Sequence, residues 1–256
     1  MKYLKIVGAC AFLGLSINSY AQCPDPSTTW DTTNQANGGT YTTPNTGGAN
    51  GSTCMLSVVQ GPNNNGIATV RDDMSPAETR YRARFYVDAS ELMSQSTGGA
   101  HRFKAFVAGN GTNAVPVNID DKARPAVLQM FIVGQAGNAA RLGGFCRDLN
   151  SDGNRARFGD GVNPGTVALQ TGFNVVEVEI VMGAGTGACR IWVNNNVEGS
   201  PNWEQTGIDN NLLVGVERTN IGSTGSTQAY ADLAGAPVTN FDEFESRRQT
   251  FIGFTP

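Results

Sequence analysis

The 256-residue chain carries a formal charge of −4, an isoelectric point near 5.0 and only 16 % charged residues. No basic stripe or cluster stands out, which argues against nucleic acid and anionic membrane surfaces as partners. Beyond the first residues no apolar run approaches the ~20 residues of a membrane span.

The chain opens MKYLKIVGACAFLGLSINSYAQ. Lys2 and Lys5 form a basic start, residues 6–17 an apolar stretch, and Ser19-Tyr20-Ala21 a small-residue cleavage site, so residues 1–21 read as a signal peptide. Gln22 just before Cys23 argues against a lipoprotein. The mature protein is expected to be secreted, periplasmic or extracellular.

Residues 22–66 are rich in Gly, Asn, Thr and Pro and read as a loop-rich N-terminal arm with one or two short strands. With Cys10 removed in the leader, Cys23, Cys54, Cys146 and Cys189 remain. An even number in an exported chain favours two disulfides, with three connectivities open. Cys23–Cys54 and Cys146–Cys189 are favoured. The first would tie down the arm, and the second would join two strands whose inward positions both fall on cysteine. Zinc fits poorly, because the spacings lack close CxxC pairs.

From Ile67 a jelly-roll domain over residues 67–256 is expected. A short strand (IATVRDD) leads to a turn at residues 75–78. YRARFYVD (81–88) then alternates, with Tyr81, Ala83, Phe85 and Val87 on one face and Arg82, Arg84, Tyr86 and Asp88 on the other. HRFKAFVA (101–108) is a strand, and AVLQMFIV (126–133) is apolar on both faces, as a covered central strand would be. RLGGFCRD (141–148) precedes a turn at 150–153 and a return through Ala156 and Phe158. Strands follow at 167–169, in the glycine-turn hairpin of residues 174–196, at 212–222 and at 239–248. Residues 89–93 make at most one helical turn. Many antiparallel strands without helices give an all-β sandwich or barrel.

Four segments together resemble a known group: VRDDMSPAETRYRARFYVD (70–88), FCRDLNSDG (145–153), VEVEIVMGAGTGACRIWVNN (176–195) and FDEFESRR (241–248). They are similar to the concanavalin A-like, laminin-G-like jelly-roll proteins exported by bacteria, many of unassigned activity. The resemblance spans residues 67–248 and implies a sandwich of two antiparallel sheets. Its motifs are signatures of strands and turns and carry no reaction.

Three candidate sites follow. Asp148, Asn150 and Asp152, before Gly153, fit the start of a D-x-N-x-D-G calcium loop, although Gly159 stands where a bidentate acid is expected. A plain Asn/Asp/Gly hairpin turn is the competing explanation, and calcium is the one cofactor the pattern admits. Arg82, Arg84 and Tyr86 share a strand face and Trp192 lies on an outward face, which would suit a glycan-binding surface. Arginines packed over aromatics on that face are the competing explanation. Glu243 and Glu245 would share a strand face ~7 Å apart, a spacing two catalytic carboxylates could use. The E-x-D-x-x-E strand of laminarinase-type hydrolases is missing, however, and His101 is the only histidine. No catalytic residue is therefore assigned.

The function expected from these features is a secreted non-catalytic binding module for a carbohydrate or another cell-surface ligand. A carbohydrate-active hydrolase or lyase, and a structural or adhesive surface protein, are the alternatives. The expected partner is a glycan or a surface protein.

Overall fold

The computed structural model describes residues 23–95, 101–109, 126–135, 138–151, 155–158, 166–211, 214–233, 237–247 and 249–254. The expected leader lies outside them. In chain order the strands are β1 (Thr32–Ala36), β2 (Thr40–Thr42), β3 (Leu56–Val59), β4 (Ile67–Glu78) and β5 (Arg80–Asp88). Next come β6 (His101–Gly109), β7 (Ala126–Gln135), β8 (Asn138–Arg147), β9 (Arg155–Arg157) and β10 (Val167–Ala168). The last are β11 (Asn174–Val181), β12 (Gly187–Val193), β13 (Trp203–Ile208), β14 (Val216–Ser223) and β15 (Val238–Arg247).

These strands form two antiparallel sheets laid face to face, the jelly-roll sandwich expected from the alternation. The eight-stranded sheet runs β1-β4-β14-β6-β7-β8-β10, with β9 on β8; the seven-stranded sheet runs β13-β12-β11-β5-β15-β3-β2. The inward face of β5 is Tyr81, Ala83, Phe85 and Val87, all buried, and it meets Val176, Val178 and Ile180 of β11 and Ile191 of β12 in one core. Phe85 of one sheet stacks on Phe106 of the other at 5.4 Å. Each such fully buried side chain contributes about 1.5–3 kcal/mol of transfer free energy. On β8 the inward position beside the Phe158 ring must be glycine: a Cβ on Gly144 would lie 2.5 Å from Phe158 Cζ.

Both favoured disulfides are present. Cys23–Cys54 holds the N-terminal turn, and Cys146–Cys189 joins β8 to β12, hence one sheet to the other.

Three expectations are corrected. Residues 75–78, read as a turn, belong to the long strand β4; its ladder to β14 is interrupted between Val216 and Arg218, so Pro76 can sit in the strand without a missing partner. The arm contributes three strands. β1 pairs with β4, and β2 and β3 extend the seven-stranded sheet beyond β15, so polar Thr and Asn residues form sheet edges there. β13 was not anticipated, because WEQTGI is an exposed edge strand without alternating apolar residues.

Candidate functional site

The two outward sheet faces differ in what lies on them. On the seven-stranded sheet, β5 turns Arg82, Arg84 and Tyr86 outward, beside Glu177 and Glu179 of β11 and Arg190 and Trp192 of β12. The Glu179 carboxylate is 1 % exposed and binds three arginines: Arg80 at 2.7 Å, Arg82 at 2.8 Å and Arg190 at 2.6 Å. Burial alone would push its carboxyl up, but the hydrogen bonds from Arg190, Arg80 and Arg82 hold it below the ordinary carboxylate value. Arg82 also reaches Glu198 at 2.8 Å.

Residues 249–254 run across this face. Ile252 N and Gly253 N donate to the two oxygens of Glu177, at 2.9 and 2.8 Å, and Arg84 Nη1 donates to Gly253 O at 2.7 Å. The Phe251 ring meets Trp192 edge-on at 5.3 Å, and the Arg82 guanidinium lies over both rings, at 5.5 and 5.4 Å. Phe254 packs with Ala49, Tyr86 and Val175. Trp192 is consequently 1 % exposed, with its Nε1 donating to Val197 O and Glu198 O at 3.2 Å. Burial pushes the Glu177 carboxyl up, and the N–H groups of Ile252 and Gly253 and the charge of Arg82 offset only part of that. The structure thus brings Arg82, Arg84, Tyr86 and Trp192 together as expected, but beneath the chain's own C-terminal residues. Pointing outward from a sheet is not the same as meeting solvent.

The outward face of the eight-stranded sheet has another character. Across the ladder Arg71, Asn220, Val107, Gln129, Phe145 and Arg157 stand opposite one another in register on β4, β14, β6, β7, β8 and β9. Beside this row Lys104 faces Phe131, and Arg102 faces Val133, which faces Arg141. The Phe131 and Phe145 rings meet edge-on at 5.2 Å. Arg102 lies over Phe131 at 5.3 Å, and Arg155 and Arg157 over Phe145 at 5.0 and 5.4 Å. Arg102, Lys104, Gln129, Phe131, Phe145, Arg155 and the segment 225–227 line a cleft of about 200 Å³.

Gln129 is 1 % exposed, yet its Nε2 makes no hydrogen bond among the described residues. A buried donor without an acceptor costs about 1–3 kcal/mol, and a ligand oxygen would remove that cost. Burial and the neighbouring charge of Arg102 hold the Lys104 ammonium below its ordinary pKa. No sequence argument singled out this cleft. Its one signal was the outward pair Arg102 and Lys104 in HRFKAF, which means little until β7 to β9 are laid beside it.

The other candidates take structural parts. Asp148 Oδ1 accepts from Asn150 N at 3.2 Å and Asp209 N at 3.1 Å, and Ser151 Oγ donates to Oδ2. Burial raises its carboxyl, and these hydrogen bonds, Ser151 first, bring it below the ordinary value. Both oxygens thus brace a turn; Asp152 lies outside the described residues. Among the described residues no group of three or more His, Cys, Asp or Glu could hold a metal ion.

Glu243 and Glu245 do not share a regular strand face. β15 bulges between Asp242 and Glu245, and Glu243 takes a left-handed φ of 46°. Glu245 pairs with Arg84 and Arg247. His101 is buried at the start of β6.

No family model and no curated protein matches the chain. Solved structures of like fold include a variant of the alginate lyase Aly36B in complex with an alginate tetrasaccharide: TM-score 0.54, 17 % identity, covering 76 % of this chain and 81 % of that one. The cellulose induced protein Cip1 follows at TM-score 0.53 and 18 % identity, over 85 % and 89 % of the two chains. The alginate lyase vAL-1 from Chlorella virus superposes at TM-score 0.51 and 10 % identity, over 88 % and 95 %. These likenesses show the shared jelly-roll sandwich.

Proposed function

We propose that this chain is an exported carbohydrate-binding module that holds an acidic glycan in the cleft on its eight-stranded sheet without cleaving it. The observation that carries this is the gathering of Arg102, Lys104, Arg155 and Arg157 around the Phe131 and Phe145 rings, beside a Gln129 Nε2 that has no acceptor among the described residues. Guanidinium groups form paired hydrogen bonds with carboxylates or sulfates. The rings add apolar area for sugar C–H groups, and the amide offers one directed hydrogen bond. The mild acidity of the whole chain conceals this face, because net charge says nothing about where the charges gather. The two disulfides support the export reading. A polyuronate is the natural first probe, since the Aly36B complex holds an alginate oligosaccharide.

The non-catalytic half rests on the proton-transfer groups. Among the described residues Tyr81 and Tyr230 lie in the core, Tyr41 and Tyr86 belong to the other sheet, and His101 is buried. One observation favours a lyase instead: Lys104, its proton loosened by burial and Arg102, could accept the proton from the carbon beside a uronate carboxylate. The glycosidic oxygen would then leave and an unsaturated sugar form. Titration of polyuronate and of a neutral glucan at stepped salt tests the binding claim. Arg102→Ala with Arg155→Ala should weaken polyuronate binding about tenfold or more and flatten its salt dependence. Equal affinity for the neutral glucan, or no loss in the double variant, would refute it. A rise in ultraviolet absorbance from unsaturated uronate, abolished in Lys104→Ala, would replace binding by elimination.

A further inference from the structure

A second cavity lies at the far edge of the seven-stranded sheet, between the N-terminal turn and the bulged part of β15, with a volume of about 140 Å³. It is bounded by the Cys23–Cys54 disulfide, by Met55 and by the rings of Trp30 and Phe244, whose centroids are 5.0 Å apart at 44°. Asp242 and Glu243 line it too, and no lysine, arginine or histidine does among the described residues. Asp242 is held as an acceptor, with Oδ2 taking Ala49 N at 2.7 Å and Oδ1 taking Glu243 N at 2.8 Å. Glu243 reaches the cavity because the bulge adds a residue and turns its backbone left-handed. Among the described residues its Oε2 accepts only a long hydrogen bond from Asn50, at 3.4 Å.

An aromatic pair beside two carboxylates, on apolar walls, disfavours both an anion and a heavily hydroxylated neutral ligand. The first is repelled, and the second finds too few hydrogen-bond partners. The same walls suit a cation with an apolar skin, because the tryptophan face attracts positive charge and the alkyl groups bury against Met55 and the proline-rich turn. We propose that this cavity binds a small organic cation, a quaternary or alkylated ammonium group, with Trp30 and Phe244 as its walls and Glu243 as its counter-charge. It does not depend on the acidic-glycan reading, and the charge it selects is opposite to that of the cleft.

The test is titration of the full chain with choline and, separately, with its uncharged carbon isostere dimethylbutanol. Calorimetry and tryptophan fluorescence are the readouts, with sodium chloride matching the ionic strength. Saturable binding of choline, about tenfold weaker for the isostere and for Glu243→Gln, supports the site. Because Glu243 is exposed, that variant should keep the wild-type unfolding midpoint. Trp30→Phe should bind more weakly than wild type but measurably, since phenylalanine is the poorer cation–π partner. No saturable response to choline, or equal binding of the isostere, would overturn the proposal.

Discussion

The two sheets turn opposite surfaces to the outside. The seven-stranded sheet carries its arginines in near-equal company with acids, and residues 249–254 close over them. The eight-stranded sheet carries arginines and a lysine around two phenylalanine rings, with a cleft left between them. Chemically similar residues, Arg beside an aromatic ring, therefore do different work. Where acids and residues 249–254 close over the arginines they hold the fold, and where arginines line a cleft they surround the place proposed for a ligand. The lesson is that cover, rather than residue type, separates the two settings.

The most severe way to break this contrast is to remove one arginine from each face. Arg82→Ala takes one of three arginines from the buried Glu179 and the nearby cation from the buried Glu177, leaving buried negative charge in excess. The cost of a wholly unpaired buried charge, about 3–5 kcal/mol, is its upper bound. Arg102→Ala, on the cleft, should cost less than about 1 kcal/mol, while weakening glycan binding. Urea unfolding of both variants checks the pair; equal losses would erase the distinction.

A smaller effect is expected from deleting residues 251–256. Two N–H bonds to Glu177 and the Phe251 contact are lost, and part of that is regained as chain entropy, leaving a deficit of about 2 kcal/mol. Trp192 should become solvated, seen as a red shift of its fluorescence, and glycan binding at the other sheet should persist. Loss of glycan binding on deletion would mean that the covered face, and not the cleft, is the receptor.

The mildest test uses pH. A carboxyl held below its unfolded value of 4.5, like that of Glu179, contributes stability that is present above that pH and is lost as pH falls through the folded value. Glu177, raised above 4.5, has the reverse sign: it favours the fold at low pH and loses that contribution as pH rises through its folded value. Glu179→Gln should therefore flatten the loss of stability below pH 4.5. An unaltered acid limb would show that other groups govern it.

Much of the architecture was legible in the sequence. The alternation of residues 81–88 and of the hairpin strands correctly separated core from outer face, because a strand has a period of two and one of its faces is always buried here. The disulfide pairing followed from the same logic, since Cys146 and Cys189 both occupy inward positions. The sites were harder to see. AVLQMFIV looks apolar on both faces, but Phe131 and Val133 form a small cluster with Phe145 on the outside, beside arginines from other strands. That neighbourhood depends on register across four strands, which no local pattern encodes. Trp192 misled for the converse reason: nothing in RIWVNNN announces that Phe251, far along the chain, will lie on it.

The bond between Cys146 and Cys189 has one more consequence. Cys146 follows Phe145, so the strand that would grip a polymer on its outer side is covalently stitched to the opposite layer on its inner side. A tug on a tethered chain would reach both layers at once. Shearing the layers apart would then require breaking a covalent linkage, so the grip could bear mechanical load beyond what packing alone sustains.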